Sequence, residues 1–220
     1  MRLADKDPAD VTARVNLLTR ILNSIARALL EDHEVKKSNK LHFDQRPYYR
    51  LLVNLFSDLG VPEQKQEPNP ALLPVLSTFA QTLLALQPSV APGFAFGWLE
   101  LVSHRCFMPN LLLMKDGKGW ALMHRLLMSL LAFLQPFLKT VQLTDAIRKL
   151  FKGTLRVLLV LLHDFPEFLC EYHLTFCDII PPTCVQLRNL VLSAFPRAMR
   201  LPDPFTPNLK VDLLPEIAQT

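Results

Sequence analysis

The chain has 220 residues, enough for one substantial domain that buries roughly 70% of its unfolded surface. Hydrophobic residues make up 50% and charged residues 20%, which excludes a disordered tract, and a formal net charge of +4 is too small for a polybasic membrane anchor or nucleic-acid arm. Only 6 glycines accompany 18 prolines, a balance that disfavours tight hairpins and phosphate-cradling loops and suits helices punctuated by proline.

The opening "MRLADKDPAD" is charged and contains no apolar signal core. Val11, Val15, Leu18, Leu22, Ile25 and Leu29 then recur at alternating steps of four and three, the seam of an amphipathic helix. The polar run "EDHEVKKSNK" is expected to end that helix in a loop near 31–42. Phe43 to Leu59 predicts a second helix, stopped by the proline-rich loop "GVPEQKQEPNP" at 60–70. Asn69 and Pro70 read as an N-cap and first helical position, with Pro74 able to delay the start. Further helices are predicted near 75–87, 93–103, 119–135, 144–163, 164–179 and 183–194, with "KDGKG" at 115–119 as a turn. No segment alternates as a half-buried strand does. The charge-free stretch from Pro68 to Leu99 is cut by Pro74, Pro88 and Pro92. No uninterrupted apolar run approaches the ~18 residues a membrane span needs, so the expectation is a soluble protein.

Three predicted helices end alike, in "LLALQP" at 83–88, "LLAFLQP" at 130–136 and "LLHDFP" at 161–166. Two longer segments, "RLLMSLLAFLQPFL" from Arg125 and "RVLLVLLHDFPEFL" from Arg156, each read as helix, proline corner, helix. The reading is all-α: stacked antiparallel helical hairpins, a HEAT-like α-solenoid, although the spacing is irregular against a repeat of ~40–47 residues. "TLRVLLVLLH" is apolar nearly all round apart from Arg156, as an enclosed central helix would be. After Phe195, "PRAMRLPDPFTPNLKVDLLPEI" holds five prolines and predicts an extended segment laid over the helices. The division is thus 1–195, helical, and 196–220, extended.

The densest chemistry lies at 161–180, "LLHDFPEFLCEYHLTFCDII". Asp164 and Glu167 form a D-x-x-E start resembling a capping box, with Pro166 in the first turn. At ~100° per residue, Phe165, Leu169, Tyr172 and Phe176 share one face and Asp164, Glu167, Glu171 and Asp178 a roughly opposite one. Cys170, His173 and Cys177 lie between, with His163 as the nearby fourth ligand. Zinc takes four ligands, usually from short loop-borne pairs that are missing here, so the cysteines read as small hydrophobes and no metal is expected. Cys106, Cys170, Cys177 and Cys184 show no C-x-x-C pair and read as reduced thiols. No nucleophile-elbow, phosphate-loop or zinc-protease motif occurs, and no catalytic residue or cofactor is expected. Arg148, Lys152 and Arg156 recur at i, i+4 and i+8 with Lys149 beside them. They form either a solvated surface or a docking face for an acidic partner. Phe94, Phe96 and Trp98 in "PGFAFGWLEL" are expected in the core, with two of the three able to line a groove.

The run from "KGTLRVLLVLLHDFPEFLCEYHLTFCDIIPP" to "LLPEI", with "PGFAFGWLELVSHRCFMPNLL" upstream, resembles the C-terminal domain of the largest Not subunit, the scaffold of the Ccr–Not mRNA deadenylase complex. The resemblance is close from Tyr48 to Ile217. It implies a helical, HEAT-like, non-catalytic domain that docks the C-terminal Not-box regions of the other Not subunits. It also implies docking of short peptides from RNA-binding adaptors, bringing deadenylation and translational repression to target messages. RNA would be contacted indirectly, with no membrane and no small-molecule substrate. The setting implied is the cytoplasm, including mRNA-processing bodies, and the nucleus. The family domain continues past "LLPEI", so this chain is expected to be a truncated piece or a short member with an exposed apolar end. The residues expected to hold partners are Arg148, Lys149, Lys152 and Arg156, with Phe205, Leu209 and Val211 in the tail. The alternative is direct RNA binding by the basic stripe 148–156.

Overall fold

The computed structural model describes residues 8–58, 72–140 and 143–199, with 203, 205, 207, 208 and 210 beyond them. All regular structure among these is helical: α1 Pro8–Ser38, α2 Arg46–Asp58, α3 Leu72–Ala85, α4 Ala95–Val102, α5 Met108–Leu112, α6 Trp120–Thr140, α7 Asp145–Asp164, α8 Pro166–Ile179 and α9 Val185–Leu192. Short 3₁₀ turns at Pro92–Phe94 and Lys115–Gly117 precede α4 and α6.

The helices stack in two ranks. In one, α1 packs on α3, α3 on α6 and α6 on α8; in the other, α2 packs on α4, α4 on α7 and α7 on α9. Contacts of α7 with α8 and of α8 with α9 join the ranks at one end. The all-α expectation holds. The two longer proline-containing segments begin on α6 and α7, in different ranks, so they are not equivalent units of a repeat.

The α1 seam is buried through Leu18, Leu22, Ala26 and Leu29. The helix does not stop at residue 31 but continues through the polar run to Ser38. One residue of that run explains why. His33 continues the buried seam after Leu29, meets Phe43 edge-on at 5.2 Å, and its Nε2 accepts the Gly93 N–H at 3.2 Å. The helix closes at Lys40, which adopts φ 55°. The Leu41 N–H reaches the Lys36 carbonyl at 2.8 Å and the Lys40 N–H that of Lys37 at 3.1 Å, the double bond of a Schellman ending.

Proline acts in three different ways. Pro88 lies just past the end of α3 and Pro166 opens α8, as corners should. Pro74 sits within the first turn of α3 and does not delay it. Pro136, however, lies inside α6, which runs on to Thr140. The carbonyl it leaves without a donor belongs to Ala132. Both residues are exposed, so the lost bond lies on the solvent side of the helix and not in the core. With that turn intact, α6 becomes the central helix, packing on α3, α5, α7 and α8 and burying Met123, Leu126, Leu127, Leu130, Leu131 and Leu134. By length and composition it is also the one described helix able to cross a membrane, a signal the uninterrupted-run criterion did not catch. Here its buried face forms the core. The centrality expected of "TLRVLLVLLH" fails correspondingly: α7 leaves Leu159 52% and Val160 42% exposed.

Polar groups fix the junctions. The Trp98 indole N–H donates to the Leu83 carbonyl at 2.6 Å, tying α4 to α3, and that of Trp120 donates to Leu112 at 3.0 Å. The expected capping box at Asp164 does not form. Asp164 ends α7 and takes the His163 Nδ1 at 2.7 Å, while Phe165 occupies the cap position of α8 with no side-chain bond. Arginines close the helix ends instead. Arg197 Nη2 donates to the carbonyls of His163 at 2.6 Å and Asp164 at 3.0 Å. Arg188 Nη1 donates to those of Cys177 at 2.7 Å and Ile180 at 3.2 Å. Cations at carboxyl ends of helices satisfy orphan carbonyls and oppose the helix dipole.

Gly119 marks the tightest approach: a Cβ there would meet the Leu111 carbonyl oxygen at 2.1 Å. Backbone cannot swing aside as a side chain can. Gly119→Ala is therefore expected to lower stability by about 2–3 kcal/mol, read as a reduced urea midpoint with an unchanged slope. Two histidines carry a pH dependence. Burial holds the His104 imidazole below its usual range, with Arg105 adding to the effect, and burial alone lowers that of His124. His124 stacks on Tyr172 at 4.2 Å and its Nε2 shares a hydrogen bond with Thr175 Oγ1 at 2.8 Å. Because the folded values are depressed, the unfolded chain binds more protons on acidification. The stability they supply is complete above the unfolded imidazole value of ~6.5 and is lost as pH falls through the folded values. The melting temperature should drop between about pH 7 and pH 5, and the drop should shrink in His124→Gln.

Candidate functional site

The site is built on α4, a helix of only eight residues. Its Trp98 is fully buried, Phe94 just before it likewise, and Leu99 nearly so. Phe96, two positions from each buried ring, points the other way and is 37% exposed. One aromatic of the three therefore lines a groove, not two. Glu100 follows Phe96 by one turn and is exposed beside it.

Phe96, Leu99, Glu100 and Ser103 form one wall of a groove whose other wall is α7. The helices come close because residue 153 is glycine: a Cβ there would meet Leu99 Cδ2 at 2.7 Å. Lys149, Lys152 and Arg156 stand on the α7 wall, with Val157 at its base. Three of the four residues of the basic stripe are thus brought together over an apolar floor. Arg148 is not among them; its Nη1 lies 3.9 Å from the Asp145 carboxylate and its Nη2 reaches the Leu143 carbonyl at 3.5 Å.

A second groove adjoins the first across α4, sharing Phe96 and Glu100. Its far wall is the start of α2, with Arg46, Tyr49 and Arg50. Gln45 Oε1 accepts the Gly97 N–H at 2.8 Å, locking α2 to α4 at this point. The Tyr49 phenol is pushed above its usual range by burial and by the nearby Glu100 carboxylate. Among the described residues no carboxylate pairs with Arg46, Arg50, Lys149, Lys152 or Arg156. Elsewhere Arg27 pairs with Glu31, Lys37 with Glu34 and Lys118 with Asp116. Sequence reasoning missed the α2 arginines and Glu100. Arg46 and Arg50 lie at i, i+4 on a helix flank, a signal available in principle but without meaning until α4 is placed beside it.

The cluster at 161–180 is differently arranged. Cys170, His173 and Cys177 are partly buried along α8, and the His173 Nδ1 is engaged with the Cys170 carbonyl. Burial and then Glu167 raise the Cys170 thiol, so it is less readily ionised than a free cysteine. Among the described residues no three histidine, cysteine or acidic side chains gather as metal ligands would. In the tail, Phe205 is 89% exposed, and Leu209 and Val211 lie outside the described residues.

Residues 61–220 match the family described as "CCR4-Not complex component, Not1". The chain is 49% identical over 213 residues to CCR4-NOT transcription complex subunit let-711 of Caenorhabditis elegans, covering 93% of this chain and 8% of that protein. It is 41% identical over 180 residues to General negative regulator of transcription subunit 1 of Schizosaccharomyces pombe, covering 80% and 8%. Among solved structures, the NOT1 superfamily homology domain from Chaetomium thermophilum superposes with a TM-score of 0.82 at 33% identity, over 93% of this chain and 40% of that one. The Not1 C-terminal domain in complex with Not4 superposes with a TM-score of 0.74 at 31% identity, over 96% and 42%. This chain thus spans about a twelfth of the length of those two relatives and about two fifths of the solved domains. On the sequence match and the shared fold together, the chain belongs to the Not1 family of CCR4-Not complex components.

Proposed function

We propose that this chain is a non-catalytic scaffold module of the Ccr–Not complex. It docks the C-terminal Not-box regions of other Not subunits and short peptides of RNA-binding adaptors, bringing deadenylation and translational repression to target messages. Its place of work is the cytoplasm, including mRNA-processing bodies, and the nucleus. The observation that carries the reading is the row Lys149, Lys152 and Arg156 beside Phe96, cations that no carboxylate among the described residues pairs with, lining an apolar-floored groove. Unpaired like charges destabilise a fold slightly and are compensated when an acidic surface docks. The solved relative bound to Not4 supports the choice of partner class. The alternative, direct RNA contact by the same stripe, is opposed by Glu100 in the groove.

The test is co-purification of the chain with the C-terminal regions of the partner Not subunits. Lys152→Glu with Arg156→Glu is expected to lower recovery at least about tenfold, equivalent to ~1.4 kcal/mol, with helicity unchanged because both side chains are exposed. Unchanged recovery removes the stripe from the interface.

A further inference from the structure

The two grooves that meet at Phe96 and Glu100 have a shared geometry that neither has alone. Arg46 and Arg50 on α2 stand at one end, and Lys149, Lys152 and Arg156 on α7 at the other, with α4 between. These three helices are successive members of one rank. Packed helices lie ~8–10 Å apart, so the two cation groups are separated by roughly 16–20 Å. An extended chain advances ~3.3 Å per residue, and about five or six residues cover that distance.

The middle of the trough is of different character. Phe96 offers an apolar face, and Glu100, exposed beside it and lining both grooves, sets a carboxylate at the centre. An occupant that is uniformly anionic therefore meets repulsion at the centre. A nucleic-acid strand carries a phosphate at every nucleotide, so one of them would fall against Glu100. A peptide is free to place a neutral apolar residue there.

Resting on the docking reading above, we propose that the trough takes one extended acidic peptide with a two-ended pattern. Carboxylates about five or six residues apart seat on the α2 and α7 cations, and an apolar side chain between them packs on Phe96. The occupant is a partner segment of that chemistry, held by charge at both ends and by apolar burial in the middle.

The test is fluorescence anisotropy on the full chain with three labelled probes. The first is a synthetic peptide with two Asp-Glu pairs separated by about four neutral residues, a phenylalanine among them at the centre. The second has the same composition with the acidic pairs adjacent. The third is an oligouridylate of matching charge. The spaced peptide is expected to bind at least about tenfold more tightly than the other two. Arg46→Glu with Arg50→Glu, Lys152→Glu with Arg156→Glu, and Phe96→Ser should each weaken it, while leaving the helical circular dichroism unchanged. Equal affinity for both peptides, or sensitivity to only one pair of cations, overturns the two-ended geometry and leaves the docking reading standing. Failure of both peptides to bind, or tighter binding of the oligouridylate, overturns both.

Discussion

Everything on this surface depends on one buried indole. Trp98 is fully enclosed, and its N–H donates to the Leu83 carbonyl at 2.6 Å, joining the short α4 of one rank to α3 of the other. An eight-residue helix has little stability of its own in water. Its position must come from tertiary contacts: the Trp98 bond, the burial of Phe94, and the Gln45 clasp on the Gly97 amide. Each fixes a different direction. Together they leave α4 only one orientation, with Phe96 and Glu100 outward between two basic walls.

The distribution of charge is the second determinant. On α1 the exposed charges are arranged to satisfy one another, as Arg27 with Glu31 and Lys37 with Glu34. Such exposed pairs are worth at most ~1 kcal/mol, yet they cancel the local field. Among the described residues, Arg46 and Arg50 on α2 and Lys149, Lys152 and Arg156 on α7 have no such carboxylate partner. The net charge of +4 conceals this, because it sums 24 basic and 20 acidic residues wherever they lie along the chain. Composition describes the sum; docking depends on the placement.

How much of this was legible follows from which signals are local. Helical seams are local, so the α1 seam and the limits of α7, α8 and α9 could be read within a few residues. What failed depended on distant partners. The run 31–38 is polar by composition, yet His33 is buried because Phe43 and Gly93 receive it. Pro136 looked like a corner, but its solvent-facing position lets α6 continue. Asp164 looked like a cap until Arg197, thirty-three residues away, took the end of α7 and Glu167 at once. The basic stripe was visible as i, i+4, i+8; its opposite wall was not.

The aromatic triad shows how near the trough came to being derivable. Successive helical residues are ~100° apart, so Phe94 and Trp98, four apart, lie within about 40° of each other. Phe96, two from each, lies about 160° away from both. Although a 3₁₀ turn runs into α4 at Phe94, that relation survives: the outer two rings are fully buried and the middle one is exposed. Burial of the pair thus forces the exposure of the third. The sequence reading expected all three in the core, although this periodicity was enough to set Phe96 apart; only the packing of α7 through Gly153, where a side chain would collide with Leu99, turned its surface into a groove.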